Sequence, residues 1–133
     1  MDLSIEDRLA IHKLYADYCF AIDDGDGPGF AGCFTADGSL DAGYGDPTMG
    51  TEALVAFCEA TAQLVPGIRH VVTNVTVSGD ADTATGRAYI SVYRVGTAGH
   101  ENILTGRYVD TLREADGAWR FVARVMTQDT PPA

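Results

Sequence analysis

From Ser4 to Asp23 the apolar positions Ile11, Leu14, Tyr15, Tyr18, Cys19 and Ile22 recur at three- and four-residue steps. That spacing predicts a long amphipathic helix over 4–23 with one buried stripe. Ser4 followed by Asp7 resembles a capping box at its start. Gly25, Gly27, Pro28 and Gly29 end it, and Pro28 can open a short second helix that carries Phe30 and Phe34 on one face and stops at Asp37-Gly38. Ser39 to Tyr44 reads as a short strand. Thr51 is a suitable N-cap for a third helix running to Leu64, with Leu54, Val55, Cys58 and Ala62 inward, before Pro66-Gly67 terminates it.

Beyond Gly67 the period changes to two and β-branched residues become frequent, which predicts strands at 68–78, 83–95, 101–113 and 118–128. Gly79-Asp80, Gly96 to Gly99 and Asp116-Gly117 are the turns between them. The expected architecture is α+β: three N-terminal helices packed on a curved, mostly antiparallel sheet, a four-stranded meander wrapping around the first helix. At 133 residues, 46% hydrophobic, the chain suits one domain over 1–133 with a single core.

Charge narrows the partners. Nineteen acidic against nine basic residues give a formal charge of −10, and Lys13 is the only lysine, so a phosphate-attracting surface is not expected, and neither nucleic acid nor anionic membrane suits as a partner. The N-terminus lacks a basic segment followed by an apolar run, and no stretch approaches the roughly 18 apolar residues of a membrane span. A soluble, cytoplasmic protein is expected. Cys19, Cys33 and Cys58 lie in apolar surroundings at spacings that fit neither a disulfide framework nor a zinc site, and read as small core residues.

Several metal and cofactor motifs fail on inspection. Asp24-Gly25-Asp26-Gly27-Pro28-Gly29 starts like a calcium loop, but Thr35 stands where the loop needs a Glu. The same glycines miss the dinucleotide fingerprint because residue 30 is Phe. His12, His70 and His100 have no metal-ligand spacing, with His12 and His100 expected on the surface, and there is no GxSxG elbow. Any chemistry is expected to run without metal or cofactor.

The candidate chemistry is an acid/base pair. Histidine suits proton transfer near neutral pH, and a neighbouring carboxylate fixes its tautomer and stabilises the imidazolium. At about 100° per residue Asp23 follows Cys19 on the flank of the apolar stripe while Asp24 turns to solvent, so Asp23 is the candidate partner for His70. The competing readings are an Asp23 that only caps the helix or a turn and a His70 with a purely structural role. Tyr18 and Tyr15 lie on the buried stripe, where a hydroxyl could donate to a substrate oxygen or simply pack. Tyr44 beyond the short strand, and Asn74, on the same predicted strand face as His70, are candidate pocket-lining residues.

The element order, the Phe34-Thr35-Ala36-Asp37-Gly38 step, and the closing Gly106-Arg107-Tyr108-Val109-Asp110 and Trp119-Arg120-Phe121 segments resemble the SnoaL-like branch of the NTF2-like superfamily. The resemblance covers nearly the whole chain and implies a cone of bent sheet and helices enclosing a pocket. Bile-acid dehydratase, scytalone dehydratase and hexachlorocyclohexane dehydrochlorinase share an Asp near the end of helix one and a His at the start of the first long strand. Phe20-Ala21-Ile22-Asp23 and Ile68-Arg69-His70 match those places, and Tyr18 matches a pocket tyrosine of the bile-acid enzyme's pattern. By the same resemblance Arg124 corresponds to a basic residue facing the cavity, where it could bind a developing anion or a substrate carboxylate; the competing reading is a surface or carboxylate-paired arginine, and Arg107 and Arg87 are weaker candidates for the role. A homodimer or homotrimer through the sheet is also expected. The resulting expectation is a cofactor-independent lyase or isomerase of dehydratase type, acting on a small hydrophobic cyclic substrate, with His70 as base, Asp23 as its orienting partner and Tyr18 assisting. The alternatives are a polyketide-type cyclase or epoxide hydrolase using the same pocket, and a non-catalytic ligand-binding or assembly module.

Overall fold

The computed structural model describes residues 2–130. Its elements run α1 (Ile5–Asp24), α2 (Gly27–Ala31), β1 (Phe34–Asp41), β2 (Thr48–Met49), α3 (Thr51–Leu64), β3 (Ile68–Gly79), β4 (Thr83–Gly96), β5 (Gly99–Ala115) and β6 (Ala118–Gln128).

The predicted capping box is present: Asp7 N–H donates to Ser4 Oγ at 3.0 Å, and Asp7 Oδ2 accepts from the Ser4 N–H. Asp7 also accepts from Trp119 Nε1 at 3.0 Å, tying the start of α1 to β6. At its other end α1 is closed by Gly25, whose φ of 69° is left-handed and whose N–H reaches the carbonyls of Ala21 and Ile22. The apolar stripe from Ile11 to Ile22 is buried as expected.

Two local expectations are corrected. The second helix ends at Ala31, and Phe34 opens β1 instead of closing that helix. Both phenylalanines nevertheless reach the core, with ring centroids 5.5 Å apart, so the four-residue spacing marked burial without marking helix. Thr51 is the first residue of α3 and not its cap: Gly50 holds that position, without a side-chain bond.

The sheet has six strands in the order β2-β1-β6-β5-β4-β3, against the four-stranded meander expected. β3 to β6 form that meander, and β1, earlier in the chain, joins parallel to β6. Bulges interrupt the β3–β4, β4–β5 and β5–β6 ladders. Each bulge inserts an unpaired residue, bends its strand and increases local twist, so the sheet curls around α1 with its concave side toward the helices. The turn into β3 depends on Gly67: φ is +81° and a Cβ there would sit 2.2 Å from the Val95 carbonyl oxygen. No helix among the described residues is long and apolar enough to cross a membrane.

Cys19, Cys33 and Cys58 are buried and unpaired. Burial pushes their thiols up to about 11, about 12 and about 11 respectively, which leaves almost no thiolate near neutrality. Native protein at pH 8 is therefore expected to react only slowly with a thiol-titrating disulfide reagent, and all three cysteines should titrate rapidly after denaturation.

Candidate active site

The wide end of the cone encloses a cavity of about 160 Å³, walled chiefly by apolar side chains: Ile22 of α1, Phe57 of α3, Val92 of β4, Leu104 of β5 and Met126 of β6. Polar groups enter it from Tyr18, Tyr108, His70, Thr61 and Tyr44. Thr61 is already committed, its hydroxyl donating to the Phe57 carbonyl at 2.8 Å. The mouth is framed by Tyr44 and by Ile103, the extra residue of the β4–β5 bulge, which are 56% and 39% exposed.

His70 is the second inward residue of β3, after Ile68. Its Nδ1 lies 2.7 Å from Asp23 Oδ1, and its backbone N–H donates to the same carboxylate at 3.0 and 3.1 Å. The pair is nearly sealed from solvent, with side-chain exposures of 9% and 8%. Asp23 does not cap its helix; Gly25 does that through its backbone. A carboxylate also sits at the unfavourable end of a helix dipole there, with no basic residue in the last turn of α1. All the hydrogen bonds its carboxylate makes among the described residues go to His70. In the neutral imidazole a carboxylate acceptor at this position fixes the proton on Nδ1 and leaves the lone pair on Nε2. Since His70 lines the cavity and Asp23 does not, Nε2 is the ring nitrogen available to a guest.

Tyr18 lies one helical turn before Ile22, and its ring packs edge-on to Tyr108 at 6.0 Å between centroids. Burial, reinforced by the neighbouring Tyr108 hydroxyl, holds the Tyr18 phenol well above its ordinary range. Burial pushes Tyr108 up to about 12. Both are therefore protonated hydrogen-bond donors near neutral pH.

Three expected pocket residues stand elsewhere. Arg124 is fully buried beneath the cavity floor, donating from Nε and Nη2 to Asp110 at 2.9 and 3.2 Å. Its Cζ lies 3.4 Å from the Tyr108 ring centroid and 4.3 Å from that of Tyr18, so it supports the two phenols from behind. Its side chain points inward, as the resemblance implied, but at that level of the cone inward means core. Tyr15 shares this layer and donates its hydroxyl to Asp110 Oδ2. Asn74 is turned to the outer face by the β3 bulge, with φ 59°, instead of sharing a face with His70. Asp110, Phe57 and Tyr108 carried no site assignment from the sequence. Tyr108 was within reach, because the period-two pattern places it inward on the third long strand.

Among the described residues no three His, Cys, Asp or Glu side chains converge as a metal-binding group. Asp23 and His70 are thus joined by buried hydrogen bonds at the wall of a largely apolar cavity, with the two phenols of Tyr18 and Tyr108 on the same cavity.

A family model described as the SnoaL-like domain matches residues 3–125. The chain belongs to the SnoaL-like family. Among solved structures it is similar to Rv3472(D26N) of Mycobacterium tuberculosis, described as of unknown function, with 37% identity and a TM-score of 0.86 over 93% of this chain and 72% of that one. A cystatin-like-fold protein of unknown function from Nostoc punctiforme is 27% identical, with a TM-score of 0.88 over 99% of this chain and 98% of that one. A scytalone dehydratase-like protein of Novosphingobium aromaticivorans shares the fold at 22% identity and a TM-score of 0.83, over 95% of this chain and 86% of that one. No curated protein matches the chain. The SnoaL-like domain here thus has the NTF2-like, cystatin-like architecture: helices on a curved, open, six-stranded sheet.

Proposed function

We propose that this SnoaL-like protein is a cofactor-independent lyase or isomerase of dehydratase type. The observation that carries the reading is the buried Asp23 carboxylate on Nδ1 of a histidine that faces an otherwise apolar cavity. His70 Nε2 takes a proton from the carbon next to a ring carbonyl. Tyr18 and Tyr108 donate hydrogen bonds to the carbonyl oxygen as it becomes an enolate, a preorganised arrangement that favours the charge-separated state. When the enolate collapses, the C–O bond at the next carbon breaks and the imidazolium returns its proton to the departing hydroxide. The products are an enone and water, and the enzyme returns to its starting state. In an isomerisation the same proton is returned to carbon instead.

Cavity size restricts the substrate. A dry cavity of about 150 Å³ holds a benzene ring, so about 160 Å³ suits one ring or a compact bicycle, with further substituents emerging past Tyr44 and Ile103. Among the described residues no arginine or lysine lines the cavity, which favours an uncharged guest. Direct attack by Asp23, as epoxide opening would use, is disfavoured because the carboxylate does not line the cavity.

The test is solvent exchange. Incubating the protein in deuterated buffer with 3-hydroxycyclohexanone and a fused bicyclic homologue should wash out the proton next to the carbonyl and release enone, and His70→Asn should abolish both. Exchange that survives in His70→Asn, or ring probes that leave the cavity-residue amide resonances unmoved, would overturn the reading in favour of a binding or assembly module.

A further inference from the structure

The outer face of the sheet carries a second depression, of about 300 Å³, whose chemistry is opposite to that of the cavity. Asn74 and Thr76 of β3, Arg87 and Tyr89 of β4, and Arg107 and Val109 of β5 form its walls. Among the described residues no carboxylate lines it, on a chain with nineteen acidic residues and a formal charge of −10. Neither Arg87 nor Arg107 has an ion-pair partner among the described residues.

Strand register brings the two arginines together. Arg87 pairs with Val109 and Tyr89 with Arg107, so the guanidinium-bearing positions are diagonal neighbours on one face, within reach of a shared ligand for long side chains. Each is already oriented. Arg87 donates from Nε to Thr76 Oγ1 at 3.3 Å, which leaves its terminal amino groups free. Arg107 lies over the Tyr89 ring with Cζ 5.3 Å from the centroid, which leaves its N–H edge free. The β3 bulge that turns Asn74 outward adds a carboxamide to the same rim.

We propose that this depression is a binding site for a small oxyanion, a carboxylate or phosphate group gripped between Arg87 and Arg107. Guanidinium is the side chain whose planar fork matches these oxyanions. The part of the ligand beyond the anionic group would rest against Val109, which is 61% exposed. The site lies on the opposite side of the sheet from His70 and does not depend on the chemistry assigned to the cavity.

The experiment is an amide-resonance titration of the full chain with inorganic phosphate and, separately, with benzoate, at ionic strength held constant with sodium chloride. The expected result is saturable shifts around residues 74–76, 86–89 and 106–109, with the resonances of Ile22 and His70 unmoved. Arg87→Gln combined with Arg107→Gln should weaken both ligands about tenfold or more, as loss of charge-assisted hydrogen bonds does; its otherwise unchanged spectrum would show that the fold is intact. A response that does not saturate, or that persists in the double variant, overturns the site. So does sedimentation showing that the free protein self-associates through this face and that neither anion competes: the two arginines would then serve a subunit interface.

Discussion

Asp110→Ala is expected to destabilise the fold by about 3–5 kcal/mol, the cost of leaving a buried charge without its partner. Arg124 is 0% exposed and Asp110 1%, and the guanidinium has two of its nitrogens on that carboxylate. Its remaining surface meets aromatic rings: Tyr15, Tyr18, Tyr108 and Phe121 all lie within 4.9 Å of Cζ at their centroids. Cation–π contact lessens the penalty of an unpaired guanidinium without replacing an anion. Tyr15→Phe, which removes only the hydroxyl that donates to Asp110, should cost about 1 kcal/mol. The discriminating variant is Asp110→Leu with Arg124→Met: removing both charges for apolar groups of similar volume is often neutral or stabilising, so the double change should recover most of the loss from Asp110→Ala. Urea unfolding measures all three. A loss below about 1 kcal/mol for Asp110→Ala would mean that water or a rearranged partner reaches Arg124.

This layer also explains which parts of the site were readable from sequence. The stripe on α1 was legible because helical periodicity reports burial, and the same geometry separated Asp23, which bonds His70, from the exposed Asp24. Periodicity does not report what a buried face meets. Tyr15 and Tyr18 share the stripe, yet Tyr15 ends on an ion pair in the core while Tyr18, a turn closer to the wide end of the cone, reaches the cavity. Arg124 was placed at the cavity by resemblance alone; the competing reading, an arginine paired with a carboxylate, is the one its bonds to Asp110 match. Asn74 failed differently: one unpaired residue in β3 reverses the inward–outward alternation beyond it, so Val75 and Val77 turn inward and Asn74 turns out. The hint was the residue itself, since Asn tolerates the left-handed conformation found there. The β1–β6 pairing was invisible because a parallel partner far along the chain leaves no local signal; the six-residue loop between β1 and β2 carries turn residues in Gly43, Gly45 and Asp46-Pro47, but the two-residue β2 beyond it is too short for a period-two pattern.

Asp23→Asn is expected to lower the rate of the proposed proton transfer by about 10²- to 10⁴-fold while the protein stays folded. The new carboxamide keeps an oxygen for the His70 backbone N–H, which preserves the junction between α1 and β3. Its amino group, however, can donate to Nδ1, and the ring then holds its proton on Nε2, the nitrogen that faces the guest. In that tautomer the base is absent although the histidine has not moved. Because Asp23 does not line the cavity, the loss should appear in kcat with KM little changed, the pattern of an interaction that matters in the transition state more than in substrate binding. Phe57→Leu, which alters a cavity wall and leaves the dyad intact, should do the reverse and act mainly on KM. Equal effects of the two changes on KM would place Asp23 in ligand binding; unchanged kcat in Asp23→Asn would show that His70 needs no orienting carboxylate, and the acid/base pair would lose one of its members.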